Sequence, residues 1–117
     1  MGPHIDKSPF NQRGLFLFVV KDIGCYIIFS KKLDKHYVGV CQDNLLQRIR
    51  HHNTAQYGSH RFTSAADDWE LRLFIPAMDY SHAVRMERKI KMMKSRVYIQ
   101  NLLKYPELVE KIYNQTR

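Results

Sequence analysis

The sequence predicts a small α+β domain: a three-stranded antiparallel sheet flanked by helices, in the order ββ-α-β-α-α. Three observations carry that expectation. Two apolar, aromatic runs, Gly24 to Ser30 and His36 to Cys41, are joined by a charged connection short enough to force a hairpin. A third run, Trp69 to Ile75, alternates Leu71, Leu73 and Ile75 with Glu70, Arg72 and Phe74 and stops at Pro76. Between and after these strands lie amphipathic stretches at helical spacing, each opened by a capping residue, which would shield the sheet.

Taken in order, residues 1–14 are polar and carry Pro3, Pro9 and Gly14, and read as a flexible lead-in to a single domain over 15–117. Leu15 to Val20 is apolar and reads as a short strand or an arm packed on the domain. In the hairpin, Lys31 to Lys35 is the connection, with Asp34 as turn former. A turn centred near Lys31 and Lys32 sets Tyr26 opposite Tyr37, and residues opposite each other share a face of the sheet. Cys41 then shares that face and Cys25 points away, so the two cysteines cannot pair.

Asp43 or Asn44 caps a helix running to about His52, with Leu45, Leu46 and Ile49 as its core stripe. Arg48 and His52 are one turn apart on a neighbouring face. Asn53 to Asp68 is a long loop of small and polar residues, a type often tied to function. Asp79 or Ser81 caps the next helix, to about Ser95, with Ala83, Met86, Ile90 and Met93 inward and Glu87 at the border. Val97 to Lys104 forms a short helix holding Asn101. Pro106 opens a last helix with Leu108, Val109, Ile112 and Tyr113 inward.

The chain has 117 residues, one domain's worth, and 44% hydrophobic residues, which excludes a disordered chain. Its longest apolar run, Leu15 to Val20, is too short to span a bilayer and lacks the cleavage site of a secretory signal. A cytoplasmic setting is the default expectation. The two cysteines form no CxxC pair, so a zinc site is not expected and two buried free thiols are. Nineteen Lys and Arg against eleven Asp and Glu give a net charge of +8, which favours a polyanionic partner through counterion release. The competing reading is a solvated basic surface.

Gly24-Cys25-Tyr26 followed by Tyr37-Val38-Gly39 resembles the GIY-YIG nuclease motif, with Cys and Val in place of the two isoleucines. Arg48 and His52 are similar to that family's R-x-x-x-H pair on the first helix. Glu87, in Met-Glu-Arg-Lys-Ile-Lys, resembles its metal-binding glutamate, and Asn101 a polar residue that often follows it. The resemblance spans Gly24 to Leu103 and is closest to small standalone members related to the UvrC-type catalytic domain. It implies a GIY-YIG-like fold and a metal-dependent endonuclease that hydrolyses DNA, in repair or recombination. It further implies Tyr26, Tyr37, Arg48, His52 and Glu87 as catalytic residues, with Mg²⁺ or Mn²⁺ on Glu87 and no other cofactor.

The residue types suit that chemistry. Arg holds phosphate oxygens bidentately, as Lys cannot. A carboxylate suits a hard cation that keeps most of its waters. A tyrosine can accept a water's proton only where nearby positive charge favours phenolate. The resemblance suggests that one of the two tyrosines is that base, Tyr37 being slightly favoured. Arg50, His60, Arg61, Arg88, Lys91 and Asn101 are candidate nucleic-acid contacts, with Arg85, Lys89, Lys94 and Arg96 as further basic candidates. Each residue taken alone has an ordinary explanation: strand tyrosines, a solvated arginine, and Glu87 paired with Lys91 one turn on. The alternative for the whole is a nucleic-acid-binding module without catalysis.

Overall fold

The computed structural model describes residues 21–54 and 62–117. The lead-in, the apolar run Leu15 to Val20, His60 and Arg61 lie outside the described residues.

β1 (Gly24–Ser30) and β2 (Lys35–Cys41) form the expected antiparallel hairpin, and β3 (Glu70–Pro76) pairs antiparallel with the other side of β1, giving the order β2-β1-β3. The register differs from expectation by one pair of residues. Tyr26 stands opposite Gly39, and Tyr37 opposite Ile28. The cause is the turn: Asp34 takes the left-handed conformation at φ 54°, which its short polar side chain tolerates, and the hairpin closes at Ser30 and Lys35. Because the pleat repeats every two residues, this offset keeps both tyrosines on one face, now diagonally placed. Cys41 joins their face and Cys25 the other; both are buried and free.

Both faces of the sheet are covered, which is why β1 is buried from Gly24 through Ile28. α2 (Tyr80–Met93), α3 (Arg96–Lys104) and α4 (Pro106–Thr116) cover one face, where Cys25, Ile27, Val38 and Ile75 pack against Met86, Ile90, Leu102 and Ile112. The tyrosine face holds Tyr26, Ile28, Cys41, Leu45, Ala66 and Trp69 beneath α1 (Leu45–Asn53), with Tyr37, Ile49 and Phe74 against them.

Three packing expectations fail. Leu46 is 70% exposed, and the buried partner of Leu45 on α1 is His52. Met93 is 48% exposed at the end of α2, whose inward positions include the buried His82. In β3 the alternation breaks. Ile27 pairs with Leu73 but Ile28 with Leu71, so Arg72 is an extra residue and Leu71 turns to the tyrosine face.

The expected capping residues act. Asn44 Oδ1 accepts from the Gln47 N–H at 3.0 Å and Asp79 Oδ1 from the His82 N–H at 2.8 Å. The end of the long loop is a short 3₁₀ turn, Phe62–Ala65, held under α1. No helix among the described residues is long and apolar enough to cross a membrane.

Candidate active site

The site forms around the open edge of β2, where the tyrosine face meets α2. A cleft of about 330 Å³ there is lined by Tyr26, Tyr37, Arg48, His52 and Glu87, together with Val40, Tyr80, Val84 and Arg88. Each element brings its side chains for a local reason. The strands place both tyrosines on one face by pleat parity. The four-residue spacing of Arg48 and His52 aligns them on α1. Packing of Ala83, Met86 and Ile90 into the core turns the next stripe of α2, with Glu87, toward the cleft.

Tyr26 is only 1% exposed, and its position depends on a glycine. A Cβ on the cross-strand partner Gly39 would lie 2.5 Å from Tyr26 Cζ and 2.5 Å from its hydroxyl oxygen, so the ring lies directly over the β2 backbone. A Cβ on Gly24 would collide with the Ile75 carbonyl oxygen, so both glycines of the motif serve close packing.

The Tyr26 hydroxyl lies 2.7 Å from His52 Nε2, and His52 Nδ1 lies 2.8 Å from Thr63 Oγ1. His52 is buried, and its ring stands 5.1 Å from that of Tyr37. These contacts make a buried Tyr–His–Thr line of hydrogen bonds running inward from the cleft. The 3₁₀ turn is fixed to supply Thr63: Trp69 Nε1 donates to the Thr63 carbonyl at 2.8 Å, and Asn53 exchanges two hydrogen bonds with the Trp69 backbone.

Glu87 pairs with Lys91, Nζ to Oε2 at 3.2 Å, the local ion pair its spacing suggests. Lys91 Nζ also lies 5.5 Å from the centre of the Tyr37 ring, so this lysine stands beside two cleft residues without lining the cleft itself. Beneath, the Cys25 thiol is pushed up to about 12, chiefly by burial and further by the negative charge of Glu87.

Among the described residues no group of three or more His, Cys, Asp or Glu could cage a metal. Among the described residues the cleft offers a single carboxylate, Glu87. That donor set fits Mg²⁺ or Mn²⁺, which are held by one or two carboxylates plus water and substrate phosphate, and does not fit a structural zinc.

The other sequence candidates divide. Arg88 lines the cleft. Arg50 is exposed on α1, and Asn101 is half-buried on α3; neither is a cleft residue. Arg85 Nε donates to the Thr116 carbonyl at 2.5 Å, and Arg96 donates to the Asp34 carbonyl and carboxylate at 2.8 and 2.7 Å. These two arginines tie elements together. Sequence reasoning missed Thr63, Val40, Tyr80 and Val84. The helical spacing of positions 80, 84 and 87 was a usable signal for two of them, Tyr80 and Val84, whereas nothing local marked Thr63.

The family model described as the GIY-YIG catalytic domain matches residues 22–100, more than half of the chain. No curated protein and no solved structure matches it.

Proposed function

The chain belongs to the GIY-YIG catalytic-domain family, a nuclease family, and from that premise we propose that it is a divalent-metal-dependent endonuclease hydrolysing phosphodiester bonds in DNA. One observation carries the reading: Tyr26, Tyr37, Arg48, His52 and Glu87, supplied by four separate elements, line a single cleft.

The chemistry needs a water aligned with the phosphorus, positive charge on the phosphate oxygens, and a proton acceptor. Arg48 holds the phosphate by its planar guanidinium. Glu87 would hold one Mg²⁺ or Mn²⁺, which when bound would supply Lewis-acid stabilisation of the charge that develops on the phosphate and leaving oxygens. Tyr37, half-buried and lining the cleft, takes the proton of the attacking water. Tyr26 is nearly sealed and serves as a positioning residue. His52, engaged at both ring nitrogens, holds the Tyr26 hydroxyl in place rather than binding phosphate, and Thr63 fixes its ring. Arg88 contacts the strand beyond the site, and the net charge of +8 draws DNA in. Selectivity for branched or damaged DNA, in repair or recombination in the cytoplasm, completes the proposal by analogy with the family.

The test is cleavage of labelled single-stranded, duplex and flap DNA with and without Mg²⁺. Arg48→Ala and Glu87→Ala should each lower cleavage by about 100-fold or more while circular dichroism stays unchanged. Wild-type binding without cutting in Mg²⁺ or Mn²⁺ would favour a non-catalytic binding module. A Glu87→Ala variant that cuts as fast as wild type would sink the metal assignment.

A further inference from the structure

The cleft has two kinds of wall, and the hydrolytic chemistry uses one. Arg48, His52, Glu87 and Arg88 are polar, whereas Val40, Tyr80 and Val84 are apolar or aromatic. On α2 the cleft residues fall at 80, 84, 87 and 88, one stripe at helical spacing. The stripe changes character along its length, from Tyr80 and Val84 to Glu87 and Arg88. Tyr80 is 50% exposed at the first position of the helix. Neither helix nor core demands an aromatic there. The cap is Asp79, the buried positions are His82, Ala83, Met86 and Ile90, and Tyr has only moderate helix propensity.

We propose that Tyr80 is a stacking platform for an unpaired nucleobase, so that the site selects DNA whose strand is unpaired beside the scissile phosphate. This inference rests on the nuclease reading and names its substrate class. The face of a base is open to a side chain only when the base has left its duplex stack. Glu87 lies seven positions beyond Tyr80 on the helix, about 10 Å along the axis. That distance is about three stacked nucleotides of one strand, at about 3.4 Å each. A strand with its scissile phosphate at Arg48 and Glu87 therefore lays a base, about one to three nucleotides away, against Tyr80. Val84 and Val40 give that base an apolar floor, and Arg88 meets an adjacent phosphate. The cleft encloses about 330 Å³, within the range of small-molecule pockets.

The experiment is fluorescence anisotropy in EDTA at low salt, comparing a labelled single strand with a blunt duplex of the same sequence. Tyr80→Ala should weaken single-strand binding about fivefold or more, and Tyr80→Phe should change it by less than about twofold. Duplex binding should hold within about twofold in both variants, since their duplex contacts are to phosphate. Equal losses on the two DNAs, no loss on the single strand, or a Tyr80→Phe loss as large as that of Tyr80→Ala would overturn the stacking role and leave the nuclease reading standing. Wild-type protein that binds neither DNA would overturn both readings together. Thermal melting of both variants checks that they fold.

Discussion

Tyr26 shows how one side chain acquires a fixed place. Its ring needs the missing Cβ of Gly39, its hydroxyl needs His52, and His52 in turn needs Thr63. Gly39→Ala therefore pushes a methyl into a buried ring. We expect it to destabilise the fold by about 1–3 kcal/mol, as overpacking does, and to lower cleavage even at temperatures where the variant stays folded. Thermal melting and cleavage measured on the same sample check this, and a Gly39→Ala variant with wild-type melting and activity would refute the packing account. The same residues show the limit of reading one position at a time. The Gly-x-Tyr and Tyr-x-Gly patterns are visible in the chain, but which glycine serves which tyrosine is not. Gly39 serves Tyr26 across the hairpin, and not its own neighbour Tyr37.

At the level of elements, α2 ties the structure to the chemistry. Its inward stripe fills the core while its border stripe forms one wall of the cleft, so the angle of this helix sets where Glu87 stands. Two devices hold its first turn. Asp79 caps the backbone, and the buried His82 bridges to α4: Nδ1 accepts from the Met78 N–H at 3.0 Å, while Nε2 lies 3.0 Å from the Tyr113 carbonyl and 3.1 Å from Thr116 Oγ1. Asp79→Ala should cost about 1 kcal/mol, read as a lower denaturant midpoint with an unchanged slope. The proposed stacking residue Tyr80 sits in that first turn, so single-strand binding should fall more than duplex binding. Equal stability of Asp79→Ala and wild type would show that His82 alone holds the turn. The caps, Pro106 and the presence of the three strands were all legible because they are local. The exposure of Leu46 and Met93 was not, because an apolar residue at helical spacing is buried only where a neighbour exists to cover it.

The whole molecule is a sheet buried on both faces, with a buried thiol on each side. Cys25 is held protonated by burial to about 12, against 9.0 for a free thiol, and burial raises Cys41 as well. The sign of the resulting pH dependence follows directly. An unfolded chain releases these thiol protons above about pH 9, while the native protein keeps them, so stability is full below about pH 9 and falls as pH rises toward about 12. Cys25 alone should remove about 1.4 kcal/mol for each pH unit in that window. Denaturant unfolding at about pH 8 and about pH 10, on either side of the free-thiol value, should show the loss, and Cys25→Ala should show less of it. A wild-type stability that is flat over this range would contradict the burial. The turn is tied in at the same scale. Arg96, at the start of α3, grips Asp34, and Ser30 and the Lys32 N–H both bond Asp68. These contacts couple the hairpin to two distant segments.

By itself the sequence determined the periodic features: three strands, the helices and their caps, both tyrosines on one face, and the residues of the family motif. These follow from pleat parity, helical spacing and short-range hydrogen bonding, which are properties of neighbouring residues. The tertiary structure decided the register, the bulge at Arg72, the burial of His52 against Thr63, the engagement of Arg85 and Arg96, and the two-walled cleft. Those depend on contacts between residues far apart in the chain. Their partners are set by the shape of packed surfaces, and that shape leaves no local trace in the order of the amino acids.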